Sequence, residues 1–167
     1  MEGCSKRLEA KLDAWREKYD EMCRFQDDEP PTMKAVVNLY WNGLDLISRM
    51  QDELEQLKGG IVPATARFSA TPASHSGGHS NPTADQVFRI DILSGQVDEM
   101  EKLVHGLYLN INWFVTYEIG QQHDREIYYM RAIQRMPYLE ISKEASYSDG
   151  YCRKVVSRYG KMTTYLQ

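Results

Sequence analysis

The sequence predicts an all-α protein. Apolar residues recur at spacings of three and four along three long segments, which is the period of amphipathic helices. A tract rich in serine, glycine and proline separates the first two segments from the third, and such tracts form flexible linkers. We therefore expect an N-terminal helical hairpin (residues 1–60), a flexible linker (61–82), and a C-terminal region (83–167) that contains a long helix and a pair of short helices at 137–160.

Two apolar stripes predict the hairpin. The first stripe comprises Leu8, Leu12, Trp15, Tyr19 and Met22. Pro30 and Pro31 cannot continue a helical hydrogen-bond ladder, so the first helix ends before them. The second stripe comprises Met33, Val37, Tyr40, Leu44, Ile47, Met50, Leu54 and Leu57, and Gly59 with Gly60 supplies a helix end. We expect the two helices to pair in antiparallel orientation.

The linker and the long helix follow. His75 and His79 lie in the linker, where a Ser/Gly-rich tract gives no rigid geometry for a metal pair. Thr83 and Gln86 fit a capping box at the start of the long helix. A coiled-coil-like seam then comprises Val87, Ile90, Leu93, Val97, Met100, Val104, Leu107, Ile111 and Phe114, with Gly95 and Gly106 inside it. The seam packs against the hairpin, the C-terminal helices or a second copy, and Gly106 is where a kink is expected.

The last segment predicts a helix-turn-helix at residues 137–160. A short helix over 124–133 precedes it and presents Ile127, Met130 and Arg131 to its neighbours. Pro137 suits a first helical turn, and Tyr138, Ile141 and Ala145 share one side of the helix that follows. After a tight connection at Ser146 and Tyr147, Ser148 is expected to cap a second helix that buries Cys152, Val155 and Tyr159.

The charge is distributed unevenly. The net charge is −4, but residues 124–167 carry 8 Lys/Arg against 5 Asp/Glu, whereas residues 1–60 carry 9 against 13 and residues 61–123 carry 3 against 6. Binding to phosphates depends on the local field, so the basic C-terminal piece is where a DNA contact is expected.

The second short helix is the candidate DNA-binding element, since it has the dimensions and the basic outer face that suit a major groove about 12 Å wide. Arg153 and Lys154 are the main candidates, and a helix N-terminus favours anions. The full set of expected DNA-binding residues is Ser148, Gly150, Tyr151, Arg153, Lys154, Ser157 and Arg158. The competing interpretation is that a short basic amphipathic helix is merely a solvated surface.

The segment Glu140 to Ser148, with Cys152 and Val155 as buried positions, resembles the sigma-factor helix-turn-helix that binds an upstream promoter element. More closely, residues 44–160 resemble phage late-transcription regulators of the ArpU and RinA type from prophages of Gram-positive bacteria. The resemblance implies a sigma-like C-terminal helix-turn-helix that binds double-stranded DNA. Ala145, Ser142 and Tyr138 depart from that family's usual pattern, so the resemblance supports the fold more firmly than the activity.

Catalytic and membrane functions have no support in the sequence. It lacks G-x-S-x-G, Walker A and H-E-x-x-H motifs, so we expect no enzyme, no cofactor and no catalytic residues. The histidines His105 and His123 are expected on helix surfaces without paired carboxylates. Cys4, Cys23 and Cys152 form no metal or disulfide pattern, and no apolar run reaches the roughly 18 residues of a membrane span, so we expect a cytoplasmic protein without a metal.

Three functions from different classes stay open. The first is a phage or prophage transcription regulator, dimeric through its long helix. The second is a phage-encoded protein that inhibits a host enzyme or defence system, either as an acidic nucleic-acid mimic or with the helix-turn-helix as a protein-binding scaffold. The acidic residues Asp27, Asp28 and Glu29 motivate this hypothesis. The third is a small terminase subunit. A host partner would be RNA polymerase in the first case and a defence enzyme in the second.

Overall fold

The computed structural model describes residues 2–24, 29–59 and 82–166, and the predicted all-α class is confirmed for them. Their helices are α1 (Glu2–Arg24), α2 (Met33–Gly59), α3 (Pro82–Tyr117), α4 (Gln122–Ala132), α5 (Tyr138–Glu144) and α6 (Asp149–Gly160). The only extended pairing in these ranges is an isolated bridge between Thr32 and Thr163. None of the helices is long and apolar enough to span a membrane. Linker residues 61–81, with His75 and His79, and the acidic Asp27 and Asp28 lie outside the described residues.

Helix α2 begins where the sequence predicts. Pro30 and Pro31 precede it, and the Thr32 hydroxyl accepts a hydrogen bond from the Ala35 amide at 3.3 Å. The predicted stripe on α2 is buried at Met33, Val37, Tyr40, Ile47 and Met50, but Leu44 is 39% exposed and Gly43 is buried. The prediction for Leu44 is wrong because the inner position of that turn belongs to Gly43, whose bare surface lies against Trp15 and Val104.

Helix α3 runs for 36 residues and is not broken at Gly106. It begins at Pro82, which places Thr83 inside the helix, and the Gln86 side-chain amide donates to the Leu57 carbonyl. The helix therefore begins one residue before the predicted Thr83 cap, and the capping box involves a side chain outside those described. Seam residues from Leu93 to Phe114 are buried within the chain, but Val87 is 45% exposed.

The chain divides into two compact units, residues 47–101 and residues 1–46 with 102–167. The smaller unit pairs the second half of α2 with the first half of α3. The Gln51 amide donates to Glu101 at 3.0 Å, and Arg89 lies 3.8 Å from Glu53. The division falls inside α2 and α3, whereas the boundaries predicted from composition fall between these helices.

In the larger unit, α4, α5 and α6 pack against one another. The Trp41 indole donates to the Ala132 carbonyl at 2.9 Å, which fixes α2 to the end of α4. The segment after α6 returns to the start of α2, where the Met33 amide donates to Met162 O at 2.8 Å and the Thr164 amide to Pro31 O at 3.0 Å. These bonds place the first turn of α2 beside the last turn of α6.

Candidate nucleic-acid interface

Two short helices joined by four residues form the candidate interface. The α5 helix has Pro137 at its N-cap rather than in its first turn, and Ile141 is its fully buried residue. Ser146 in the connection has a φ of 58°, a left-handed backbone conformation that residues other than glycine rarely adopt. The Ser148 hydroxyl then accepts from the Tyr151 amide at 3.2 Å, which confirms the predicted N-cap of α6.

The inner face of α6 agrees with the prediction. Cys152, Val155 and Tyr159 are buried, and burial raises the pKa of the Cys152 thiol, as expected of a small core residue rather than a reactive one. On α4, Ile127 and Tyr128 are buried as well, and the Tyr128 ring meets the Tyr159 ring edge-on at 6.0 Å. These contacts fix the orientation of α6 against α4 and so determine which of its residues face solvent.

The outer face of α6 is basic. Arg153, Lys154, Ser157 and Arg158 are exposed as predicted, and so is Gly150, where an added Cβ would meet open space. Lys161, at the C-cap of α6, continues the same face four residues beyond Ser157. The sequence analysis missed Lys161, although the helical spacing from Lys154 and Ser157 indicates its position. We call Gly150, Lys154, Ser157 and Lys161 the α6 ridge.

Two arginines flank the ridge and are held by carboxylates. Arg153 Nε donates to Asp149 Oδ2 at 2.7 Å one turn earlier, and this hydrogen bond raises the pKa of the guanidinium. On the other flank, Arg158 Nη1 lies 3.5 Å from Asp124 Oδ2. Both side chains are more than half exposed, so their outer N–H groups face solvent.

Asp124 is a buried carboxylate that the sequence analysis did not single out. It is 1% exposed, and it accepts hydrogen bonds from the hydroxyls of Tyr151 and Tyr159, each at 2.9 Å. The bond to Asp124 raises the pKa of Tyr151, while burial and the same carboxylate raise the pKa of Tyr159. Asp124 thus joins α4 to both the first and the last turn of α6.

Two sequence predictions need correction at this cluster. Tyr151 was expected to approach base edges, but its hydroxyl points to Asp124 and its ring stacks on Tyr147 at 5.0 Å, so it faces α4 rather than the outer side of α6. His123 was expected without a carboxylate partner, yet its Nε2 lies 3.3 Å from Asp124 Oδ1. The first error arises because Tyr151 on α6 meets Asp124 on α4 only in the folded chain, whereas Asp124 directly follows His123 in the sequence and could have been named there as its neighbour.

A column of alternating arginines and aromatic rings braces the same region. In order, it consists of Arg135, Trp41, Arg131, Tyr138 and Arg153. The guanidinium carbons lie between 4.5 and 5.3 Å from the ring centroids, within the range of cation–π attraction. At one end of the column Asp45 forms an ion pair with Arg135 at 2.6 Å, and at the other end Asp149 forms one with Arg153. The column therefore links α2, α4, α5 and α6.

The candidate interface presents a basic, exposed face of α6. No three His, Cys, Asp or Glu side chains in residues 2–24, 29–59 and 82–166 are close enough together to hold a metal ion. What the site provides is a fixed helix with a basic outer ridge, capped at the end where a helix dipole favours anions. The chain matches no protein family, no curated protein and no solved structure at a significant level of similarity.

Proposed function

We propose that this chain is a DNA-binding transcription regulator of the phage or prophage type, and that α5 and α6 form a helix-turn-helix whose second helix enters the major groove. The observation that carries the proposal is the α6 ridge. It is exposed and basic, and it lies opposite a buried face that is fixed by Asp124 and by the arginine–aromatic column. The resemblance to the ArpU and RinA type of regulator supports the same function.

The proposed contacts follow from the positions of the side chains. At 1.5 Å per residue, the 12 residues of α6 span about 18 Å, enough to lie along a major groove about 12 Å wide. Lys154 and Ser157 in the middle of the ridge face the base edges, and Gly150 allows the first turn to approach the DNA closely. Arg153 and Arg158 on the flanks contact phosphates, which position the helix without selecting sequence.

A double substitution on the ridge tests the proposal. We expect Lys154→Glu with Ser157→Glu to weaken binding to a pool of random-sequence duplex DNA at least tenfold, because two carboxylates in the groove replace a cation and a neutral donor and are repelled by the phosphates on either side. Mobility shift at about 50 to 200 mM salt measures the affinity, which should fall less steeply with salt once the cation Lys154 is lost.

The matched control places the same two changes away from the ridge, as Lys11→Glu with Ser48→Glu. Both residues are exposed on other helices, so the net charge changes equally and the affinity should stay within about twofold. Equal loss in both variants would mean that only total charge matters. No binding by the wild-type chain at about 50 mM salt would contradict the proposed function itself.

We also propose that the regulator is a homodimer. The seam from Leu93 to Phe114 is buried within one chain, so the contact lies on the exposed side of α3, where Leu109, Trp113 and Tyr117 are 51%, 42% and 69% exposed at spacings of four. Trp113→Glu is expected to shift the sedimentation coefficient from dimer to monomer, whereas Asn42→Glu, at an exposed position on α2, leaves it unchanged. A wild-type monomer contradicts this contact, and a larger ring favours a small terminase subunit.

A second candidate function rests on the smaller compact unit. Its described residues, 47–59 and 82–101, carry 8 Asp/Glu against 3 Lys/Arg, a charge excess that suits an acidic interaction protein acting on a nucleic-acid-binding host enzyme. Recovery of one host protein by the wild-type chain, lost on replacing Asp52, Glu55 and Asp98 by the corresponding amides, together with no DNA affinity, favours this candidate over the regulator.

A further inference from the structure

A cavity of about 320 Å³ lies within the larger unit, between α2, α4, α5 and α6. Clefts of this size accommodate small molecules. Its walls are mainly apolar and aromatic: Val37, Trp41, Tyr128, Ala132, Tyr138 and Val156. The cavity therefore offers flat apolar surfaces on which an aromatic ring packs well.

The charged residues of the cavity have one sign. Lys34, Arg131 and Lys161 line it, and no Asp or Glu does. None of the three takes part in an ion pair seen among the described residues. Because charge interactions are stronger beside apolar walls than in bulk water, three cations without a carboxylate favour the entry of an anion.

The guanidinium of Arg131 is fixed by two aromatic rings and a backbone carbonyl. Its guanidinium lies between the Trp41 and Tyr138 rings, 4.8 and 5.0 Å from their centroids, and Nη1 donates to Met136 O at 2.9 Å. These contacts fix the guanidinium, whose remaining N–H groups donate in its own plane. A carboxylate matches that geometry, since it accepts from arginine in a common plane.

We propose that this cavity binds a small aromatic carboxylate. The ring packs against the apolar walls near Val37 and Tyr128, and the carboxylate accepts from Arg131 in the guanidinium plane while Lys34 and Lys161 supply further positive charge. Lys34 lies in the first turn of α2, so the positive end of that helix dipole also adjoins the cavity and favours an anion. The proposal does not depend on DNA binding, since it concerns a separate ligand and a direct binding measurement.

Calorimetric titration of the full chain with 1-naphthoate tests it. We expect one site with a dissociation constant of about 100 µM or lower, within the range of ligand efficiencies for molecules of this size. The neutral 1-naphthamide, of the same shape, should bind at least tenfold more weakly. Inorganic phosphate at about 10 mM should not displace the naphthoate, because it lacks the ring.

Variants locate the site. Lys34→Gln with Lys161→Gln, both exposed at their outer ends, should weaken naphthoate at least tenfold and leave the circular dichroism and the weak amide binding unchanged. Lys143→Gln, an exposed lysine on α5 outside the cavity lining, should have no effect. The proposal is overturned if naphthoate does not bind at about 1 mM, if the amide binds equally well, if phosphate displaces naphthoate, or if the two variants behave alike.

Discussion

Replacing Asp124 by alanine is expected to lower the free energy of unfolding by about 3 kcal/mol. The carboxylate is 1% exposed and accepts from the Tyr151 and Tyr159 hydroxyls at 2.9 Å. Its removal leaves the hydroxyl of the buried Tyr159 without its acceptor and opens a small cavity between α4 and α6. Urea denaturation followed by circular dichroism measures the loss as a lower midpoint at an unchanged slope.

Two further variants separate the contributions at Asp124. Asp124→Asn keeps the size and one carbonyl acceptor, so about half of the loss is expected, since one phenol hydroxyl then faces an amide donor. Glu126→Ala, an exposed carboxylate on the same helix that accepts from Gln122, is the matched control and should change stability by less than about 0.5 kcal/mol. An Asp124→Ala chain as stable as the control would show that the cluster does not hold α6.

Gly43→Ala is expected to lower the free energy of unfolding by about 2 kcal/mol, although alanine favours a helix by about 1 kcal/mol over glycine. A Cβ at this position would lie 2.5 Å from Val104 Cγ2 and 3.1 Å from Trp15 Cζ2. Neither side chain can yield easily. Val104 is β-branched, and the Trp15 indole is fixed by its 2.9 Å hydrogen bond to Leu39 O.

Gly106→Ala is the matched control, because a Cβ at Gly106 meets nothing within 4 Å. It should raise stability by about 0.5 to 1 kcal/mol through the helix propensity alone. Val104→Ala removes the closer of the two clashing groups, so Gly43→Ala should cost clearly less in that background, a coupling that a double-mutant cycle measures. Thermal or urea unfolding gives all four free energies, and stabilisation by Gly43→Ala would contradict the close approach.

The close contact at Gly43 could not be predicted from the sequence. Glycine inside a helix pattern predicts weakening of that helix, and the residue type alone does not distinguish Gly43 from Gly106. The wrong prediction for Leu44 on α2 has the same origin, since counting apolar residues assigned Leu44 to the inner position that Gly43 occupies. A residue without a side chain carries no hydrophobic signal, even where it marks the closest contact between helices.

The helices and their faces could be predicted from the sequence alone. The all-α class, the Ser148 cap and the burial of Cys152, Val155 and Tyr159 depend on residues within a few positions of one another, and helical geometry fixes which of those share a face. The position of Lys161 on the outer face of α6 could have been predicted from the same helical spacing. The left-handed Ser146 was not, because serine gives no sign of a positive φ.

The tertiary structure alone decided which faces meet. Tyr151 and Tyr159 reach Asp124 from 27 and 35 residues away, and Trp41 reaches the Ala132 carbonyl from 91 residues away. Such contacts have no period along the chain, because they depend on how separate helices pack rather than on the geometry of any one of them. For this reason the sequence determines the basic outer face of α6, whereas only the fold supplies the buried carboxylate, the arginine–aromatic column and the cationic cavity beside it.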